Sequence, residues 1–588
     1  MASVHPLIFN MLREADDYST ARHYLQAYLH ELQRMMNRSS LKKQPLEWIV
    51  QEQGVDTFLN LISVRSERLV RFSLVRFLWK IANGRREHLP KDLNDGFFEE
   101  IVHLLLAIQG ESGIYDQESY PEFAKYHGRK ASILRSEQLD RIALKAENRM
   151  KRYISGLEPR VRVRRDRNRR RILRILDGGE EDWNNHRWQI RNVIRSATVL
   201  GKMINLTPEE KSAIESAGRN RVPFGITPYY VSLMDRTPDR RNDHAVRAQV
   251  IPPADTVRSL VRSRRDPDRT LDFMLERDTS PVDLVTRRYP MIAILKPYNT
   301  CSQICVYCQR NWEINDVLAS DALAPAGRIQ AAIGWIRKHR MIREVLVTGG
   351  DPLVMSDERI IDVIESLSEI RHIERIRIGT RTPVVLPMRI TEDLADGLAR
   401  YHVPGLREIA VVTHFEHPYE VTPEAMEAVQ KFRRRGMSVY NQAVFTIENS
   451  RRFELAALRR LLKLIGVDPY YTFNTKGKEE TRRYRVPLVR LQQEIKEEAR
   501  LLSGLARTDE PVYNVPRLGK NYLRAQQHHR LLGILPNGKR VYEFHPWEKN
   551  LSLADTYIDE DVSIYDYLQE LKARGENPED YKTIWYYY

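Results

Sequence analysis

The chain has 588 residues, enough for two to four domains, and a composition ordinary for a soluble globular protein, with 42% hydrophobic and 29% charged residues and a formal net charge of +15. It has no run of about 18 apolar residues and no basic segment followed by an apolar stretch at Met1–Pro6, so we expect neither a membrane span nor a secretory signal. The three cysteines lie together within residues 301–308, which excludes a disulfide framework and indicates a reducing, cytoplasmic location.

Residues 1–180 are predicted to form a mainly helical region of unknown role, because apolar residues such as Leu25, Leu29 and Leu32 recur at helical spacing. The region ends in an arginine-rich stretch, Arg160–Arg174, which we interpret as a linker. Such a run is able to bind phosphate backbones. No aromatic platform or nucleic-acid motif accompanies it, so we favour a solvated helix face or a subunit contact and do not expect nucleic acid as a partner.

The remainder is predicted to be of the α/β class, with a helical lead-in over residues 181–285, a partial (β/α)6 barrel over 286–500 and a C-terminal segment over 501–588. Short β-branched runs alternate with amphipathic helices such as Ile329–His339, the pattern of a parallel sheet with helices outside it. In such sheets the chemistry collects at the carboxyl ends of the strands. The candidate strands are Ile292–Lys296, Glu344–Thr348, Arg375–Gly379, Glu408–His414, Ser438–Phe445 and Tyr470–Asn474.

The cysteines follow the first candidate strand with the spacing Cys-x3-Cys-x2-Cys, at Cys301, Cys305 and Cys308. Three thiolates hold three irons of a [4Fe–4S] cluster and leave the fourth iron open, whereas structural clusters and zinc sites fill every position. An open iron is able to chelate S-adenosylmethionine and reduce it. This spacing is the signature of radical S-adenosylmethionine (radical SAM) enzymes.

From about Asp182 to Trp547 the chain resembles the lysine 2,3-aminomutase family. That resemblance implies an isomerase that uses the cluster, S-adenosylmethionine and pyridoxal phosphate to move an α-amino group to the β-carbon, together with an external electron donor such as flavodoxin or ferredoxin, and a homo-oligomer. The segments that carry it are Gly225–Asp235, Arg288–Pro290, the cysteine loop with Arg310, Val345–Leu353, Arg377–Pro387, Thr413–Pro418, Asn441–Gln442 and Pro469–Tyr471.

The resemblance also implies roles for single residues. Gly349, Gly350 and Asp351 form the turn that meets the amino group of S-adenosylmethionine. Arg310 holds the substrate α-carboxylate, a task that suits a planar, bidentate donor.

Further family positions lie near the cofactors. Arg288 matches a position at the pyridoxal phosphate, although Ile292 replaces the second arginine expected there. His414 and Gln442 match positions close to the cofactors, and interior hydrogen bonding is an equal alternative for both.

Pyridoxal phosphate requires a lysine amine, which the family places in a glycine-rich loop. The corresponding stretch here is Tyr513–Tyr522, in which Lys520 is the candidate for the covalent attachment. The loop is shorter and lacks most of the family's glycines. A radical SAM enzyme of another reaction type, without pyridoxal phosphate, is therefore an alternative.

Two positions bear on the substrate. Lysine mutases hold the distal ammonium of lysine with two aspartates, and here Lys476 and Asn514 stand at those positions. A cation and an amide repel an ammonium and favour a carboxylate. The pair resembles glutamate 2,3-aminomutase, so L-glutamate to β-glutamate is the leading hypothesis and L-lysine the alternative. The cysteine-based zinc site of lysine mutases is not expected, because the chain has no cysteine outside the cluster loop.

Overall fold

The computed structural model describes residues 1–38, 45–85, 89–114, 121–238, 241–265, 272–310, 313–314, 316–317, 319–475, 479–525, 529–546 and 555–588. These form two compact units. The barrel unit comprises Arg149–Arg485 and Leu502–Arg517, and the helical unit comprises Met1–Asn148, Val486–Leu501 and Leu518–Tyr588. The predicted ranges 1–180 and 501–588 are thus each divided between both units. Helices α1–α23 and strands β1–β12 are numbered along the whole chain.

The barrel unit contains a curled sheet whose strands follow one another in chain order. The first two strands pair antiparallel, and every later neighbouring pair up to β8 is parallel. Within the described residues, β8 does not pair with β2 to close the sheet. The barrel is therefore partial, as predicted. The strands are β1 Val285–Tyr289, β2 Ile292–Tyr298, β3 Glu344–Gly349, β4 Arg375–Gly379, β5 Glu408–Thr413, β6 Ser438–Phe445, β7 Asp468–Asn474 and β8 Glu510–Val515.

Alternating burial explains how this sheet makes a site. In β2, β3 and β6, fully buried residues alternate with half-buried ones. Parallel strands are normally buried on both faces. The half-buried second face therefore indicates a cavity inside the curl. On the other face, α16 buries Ile329, Ala332, Ile333 and Ile336, which confirms the amphipathic helix predicted there.

Helices connect the strands and precede them. Their first turns carry side-chain caps, such as Ser356 before α17 and Thr422 before α20. The helices of this unit are α8 Pro159–Ile175, α9 Glu180–Asn184, α10 His186–Arg191, α11 Ala197–Met203, α12 Pro208–Arg219, α13 Pro228–Val231, α14 His244–Val250, α15 Ala254–Arg265, α16 Ala326–Lys338, α17 Asp357–Ser368, α18 Thr382–Val385, α19 Glu392–Ala399, α20 Pro423–Arg433 and α21 Glu454–Leu464.

The arginine-rich stretch interpreted as a linker is helix α8 of the barrel unit. Its side chains are used in packing: Arg164 pairs with Asp235 at 2.5 Å, and Arg165 pairs with Glu424 at 3.2 Å. The buried Asn168 amide donates to two backbone carbonyls at 3.0 and 2.8 Å. A basic run becomes a packed helix here because α8 also buries the apolar residues Val161, Ile172 and Leu173.

The helical unit joins both ends of the chain. Arg540 of β11 is fully buried, pairs with Glu100 of α6 at 2.9 Å and donates to the carbonyls of Trp585 and Tyr587 in the aromatic tail. None of the described helices is long and apolar enough to cross a membrane. Its elements are α1 Pro6–Glu14, α2 Tyr18–Arg38, α3 Pro45–Leu61, α4 Val64–Val70, α5 Leu74–Ala82, α6 Asp95–Gln109, α7 Gly128–Met150, α22 Leu488–Glu497, α23 Ile564–Ala573, β9 Gly519–Tyr522 and the antiparallel β10 His529–Ile534, β11 Arg540–Phe544 and β12 Tyr557–Glu560.

Candidate functional site

The cysteine loop leaves the carboxyl end of β2, as predicted, and its three thiols are half-buried. Burial raises the pKa of Cys301 and of Cys305, and the neighbouring acidic groups act in the same direction on Cys301. Without a metal, the thiols of Cys301 and Cys305 are therefore protonated near pH 7, and a bound metal must displace those protons. Three soft sulfur donors in one short loop fit an iron–sulfur cluster.

The Gly349-Gly350-Asp351 turn lies directly against the start of this loop. The Gly350 amide donates to the Tyr298 carbonyl at 2.7 Å, and the Asp351 amide donates to the Thr300 carbonyl at 2.8 Å. A Cβ on Gly350 would lie 2.1 Å from the Thr300 oxygen, so only glycine permits this approach. The turn and the cysteine loop thus open at one mouth, the arrangement expected for the carboxyl ends of parallel strands.

Asp351 itself is buried and used by the protein. Its carboxylate accepts hydrogen bonds from the Thr380 hydroxyl at 2.6 Å and from the Arg381 amide at 2.9 Å. It also accepts from the Leu353 amide at 3.1 Å. Asp351 therefore connects the turn after β3 to the segment after β4.

Arg381, which was not among the predicted site residues, is the centre of the described polar contacts. Its Nη1 lies 2.7 Å from the Cys305 sulfur, and its Nε donates to the His414 carbonyl at 3.2 Å. Its Nη2 donates to Glu420 at 2.7 Å and also contacts Gln249. The sequence signal that could have found it is its place after a strand end, in a segment that carries the family resemblance.

Arg310 and Lys296 form a cluster of alternating charge with two carboxylates. The Arg310 Nη1 lies 2.8 Å from Glu276 and 3.3 Å from Glu313. The Lys296 ammonium lies 3.3 and 3.7 Å from the same two residues. Both of these ion pairs of Arg310 use one nitrogen of the guanidinium, and the two cations of the cluster balance its two carboxylates. Lys296, Glu276 and Glu313 were not predicted from the sequence.

Arg288 in β1 presents a buried guanidinium nitrogen, Nη2, that has no hydrogen-bond partner among the described residues. Burial lowers the pKa of this arginine. A buried guanidinium nitrogen that lacks a partner favours an anionic ligand, so this residue fits the phosphate group that the resemblance assigns to it. Ile292, which replaces the second expected arginine, begins β2.

His414 directly follows β5, and Gln442 lies within the neighbouring strand β6. Burial and the Arg381 cation lower the pKa of His414 to about 4, and a hydrogen bond with the Gln442 backbone acts in the opposite direction. The imidazole is therefore neutral near pH 7. Both side chains are half-buried, His414 directly after β5 and Gln442 within β6, the strand that pairs with β5.

The structure brings one of the two substrate candidates to the cysteine loop. The Asn514 amide in β8 donates to the Gln309 side chain at 3.2 Å, between Cys308 and Arg310 in sequence. Lys476 lies outside the described residues. Lys520 is half-buried in β9 of the helical unit.

A second cluster has the residue types of a metal site. His244 and His417 place their Nε2 atoms 2.8 and 3.1 Å from one oxygen of Glu454, and all three residues are buried. However, the His417 Nδ1 accepts the Tyr419 amide, so a neutral ring carries its proton on Nε2, where a metal would bind. Burial acts to raise the pKa of Glu454, but the two histidines hold this pKa below its usual range. We interpret this cluster as a hydrogen-bonded carboxylate.

The fold and the cysteine loop define the class: the family model described as the radical SAM superfamily matches residues 295–458. An uncharacterised KamA family protein of Methanocaldococcus jannaschii is 43% identical over 99% of this chain and 96% of its own length. The chain therefore belongs to the KamA family of radical SAM proteins.

Characterised relatives share the aminomutase region. Glutamate 2,3-aminomutase of Clostridioides difficile is 36% identical over 56% of this chain and 73% of its own length. L-lysine 2,3-aminomutase of Clostridium subterminale is 37% identical over 54% of this chain and 73% of its own length. The chain is thus similar to aminomutases, which are isomerases, and a [4Fe–4S] cluster and S-adenosylmethionine are implied by the family.

Proposed function

We propose that this protein is an amino-acid 2,3-aminomutase that uses pyridoxal phosphate and converts L-glutamate to β-glutamate. When bound, the cluster and S-adenosylmethionine supply a carbon radical, and pyridoxal phosphate activates the migrating nitrogen. The protein's own residues position these groups and exclude water. Cys301, Cys305 and Cys308 would ligate the cluster, and the turn at Gly349 and Gly350 would receive the methionine end of S-adenosylmethionine.

Arg288 supports the use of pyridoxal phosphate, because its buried nitrogen, which no described residue pairs with, suits a phosphate oxygen. Arg310 would bind the α-carboxylate, with Glu276 and Glu313 holding its guanidinium in place. Lys520 would carry the covalent bond to pyridoxal phosphate, and His414 and Gln442 would offer neutral hydrogen-bonding groups to the ligands.

The observation that carries the substrate proposal is the position of Asn514. Its amide contacts Gln309, one residue from Cys308 and from Arg310 in sequence, and it stands where the lysine mutases have an aspartate. A neutral amide cannot form an ion pair with the ammonium of lysine, and a buried ammonium without an anion is costly. Lys476 at the second position would add a cation for the distal carboxylate of glutamate.

The test is anaerobic reconstitution with iron, sulfide, pyridoxal phosphate and S-adenosylmethionine, followed by product analysis with glutamate and with lysine as substrates. We expect β-glutamate as the main product. Lys476→Ala should lower kcat/KM for glutamate by roughly 10- to 150-fold, because a hydrogen bond to a charged group contributes about 1.5–3 kcal/mol. Faster isomerisation of lysine, or an unchanged rate with Lys476→Ala, would refute the choice of glutamate.

A charge-reversed pair gives the complementary test. Lys476→Asp combined with Asn514→Asp should shift the preference toward lysine. Lys338→Asp repeats the lysine-to-aspartate change at the exposed end of α16 and should leave the ratio of the two products as it is.

Attachment of pyridoxal phosphate is tested separately. Borohydride reduction of the reconstituted protein, followed by peptide mapping, should find the pyridoxyl group on Lys520. Label on another lysine would contradict this assignment. Absence of label, with S-adenosylmethionine still cleaved, would favour a radical SAM enzyme of another reaction type.

A further inference from the structure

We propose that Arg381 is a positioning residue for the iron–sulfur cluster: its guanidinium donates a hydrogen bond to the Cys305 thiolate and raises the reduction potential of the cluster. The inference rests on the cluster that the family implies. It does not rest on the substrate or on pyridoxal phosphate.

The guanidinium is held on three sides. Its Nη1 lies 2.7 Å from the Cys305 sulfur, its Nε donates to the His414 carbonyl at 3.2 Å, and its Nη2 reaches Glu420 at 2.7 Å. Only 10% of the side chain is exposed. Because the planar fork is fixed by these partners, Nη1 cannot turn away from the sulfur without breaking other buried bonds.

The backbone of Arg381 is fixed as well. Its amide donates to Asp351 at 2.9 Å, and the same carboxylate accepts the Thr380 hydroxyl at 2.6 Å. Asp351 belongs to the turn that packs on the cysteine loop through the Thr300 carbonyl. The arginine and the cysteine that it contacts are therefore positioned by one continuous set of hydrogen bonds.

Glu420 supplies the counter-charge that keeps a buried cation stable. Its carboxylate also accepts from the Tyr230 hydroxyl at 2.6 Å, from the Gln249 amide at 3.1 Å and from the Glu416 backbone at 2.6 Å. These donors spread the negative charge of Glu420 away from the guanidinium. The sulfur of Cys305 thus faces a cation whose counter-ion, Glu420, shares its negative charge among several other donors.

Reduction adds one negative charge to a cluster whose ligands are already anionic. A cation in hydrogen-bond contact with a ligand sulfur stabilises the reduced form more than the oxidised form, because the attraction grows with the negative charge. The potential of the cluster should therefore be higher with Arg381 than without it. A physiological electron donor would then reduce the cluster more readily.

The first experiment is potentiometric titration of the reconstituted holoenzyme, followed by electron paramagnetic resonance of the reduced cluster, without amino acid or pyridoxal phosphate. Arg381→Gln should lower the midpoint potential at full iron content, and Arg381→Lys, which keeps the charge, should lower it less. Arg377→Gln is the matched control. Arg377 lies in β4, is also 10% exposed, and pairs with Glu344 and Tyr470 rather than with a cysteine.

The second experiment starts from the unmodified protein and decides the matter if Arg381→Gln fails to fold or to bind the cluster. Protein labelled with 15N in the guanidino nitrogens of arginine should show a 15N hyperfine coupling to the reduced cluster. The guanidino label is required because the backbone amide of Arg310 also donates to the Cys308 sulfur, at 3.3 Å. Arg381→Lys should lose the coupling, and Arg377→Gln should retain it.

Two results would overturn the proposal: no guanidino coupling in the unmodified protein, or an unchanged midpoint potential in fully loaded Arg381→Gln. A purely structural role predicts both. Failure of the proposed mutase activity would leave these measurements unaffected, because neither uses an amino-acid substrate.

Discussion

Gly350 shows how one residue decides the geometry of the mouth of the barrel. Its missing Cβ lets the turn after β3 contact the backbone of Thr300, immediately before Cys301. Cys305 differs, because its role depends on a side-chain atom that is present, the sulfur, and on the Arg381 guanidinium beside it. Both positions are sensitive to changes of very few atoms, so both allow sharp predictions.

Gly350→Ala should prevent the turn and the cysteine loop from packing, because the added carbon would lie 2.1 and 2.4 Å from Thr300 backbone atoms. We expect loss of cluster loading and of S-adenosylmethionine cleavage, measured by iron content and by release of 5′-deoxyadenosine. Gly334→Ala in α16 is the control. Apart from the backbone of its own helix, no atom of the described residues lies within 4 Å of the added carbon, so this change should stabilise the protein by about 0.5–1 kcal/mol. Normal loading of Gly350→Ala would contradict the prediction.

Cys305→Ala should abolish reductive cleavage of S-adenosylmethionine, because two thiolates cannot hold the cluster with one open iron. Since the chain has only three cysteines, a thiol titration of the metal-free variant should find two. Iron analysis and turnover of S-adenosylmethionine provide the check. Full cleavage by this variant would exclude Cys305 as a ligand.

At the scale of elements, the connections after the parallel strands form the site, and side-chain bonds between neighbouring connections hold them. Asn441 in β6 holds the segment after β5: its side-chain amide accepts from the Phe415 N–H at 2.7 Å and donates to the Phe415 carbonyl at 3.0 Å.

The strands themselves were predicted from periodicity, and the candidate strands were confirmed with shifts of at most two residues at their ends.

Asn441→Ala should destabilise the barrel unit by about 1–3 kcal/mol, because two buried backbone groups of Phe415 lose their partner. The substitution should also weaken binding of S-adenosylmethionine, because it would displace His414, the residue before Phe415. Denaturant unfolding of the metal-free protein measures the first effect. Thr391→Ala, which removes only the cap of α19, is a control for stability loss without loss of ligand binding. If Asn441→Ala and Thr391→Ala bind S-adenosylmethionine with equal affinity, Asn441 does not position the ligand-binding segment.

At the scale of the whole molecule, an N-terminal helix and the C-terminal tail pack together within the helical unit. His103 of α6 stacks on Trp585 of the C-terminal tail, with ring centroids 4.8 Å apart, and its Nδ1 lies 3.0 Å from the Tyr586 hydroxyl. Burial, and then the Arg540 cation, lower the pKa of His103 to about 4. Sequence periodicity gave no indication that the tail packs on this helix.

This contact should make the helical unit sensitive to acid. The folded pKa of His103 lies below the unfolded value of 6.5, so its contribution is fully present above pH 6.5 and is lost as the pH falls toward 4. The loss should reach roughly 2–3 kcal/mol. Urea unfolding of the unmodified protein and of His103→Phe, between pH 7 and 4.5, measures it. We expect a flatter pH profile for the variant, and parallel profiles would contradict the assignment.

The sequence by itself determined the parts that depend on local pattern. Alternating β-branched and amphipathic segments predicted the partial barrel, and the spacing of three cysteines predicted the cluster loop at the end of β2. Both depend on residues near one another in the chain, so periodicity and spacing are enough to identify them.

Only the tertiary structure decided which distant residues meet. Arg381 reaches Cys305 across 76 residues, Asn514 reaches Gln309 across 205, and Arg540 reaches Glu100 across 440. Each contact joins polar groups whose burial is stable only when a partner is present. That partner is fixed by strand order and helix packing, neither of which leaves a local pattern in the sequence.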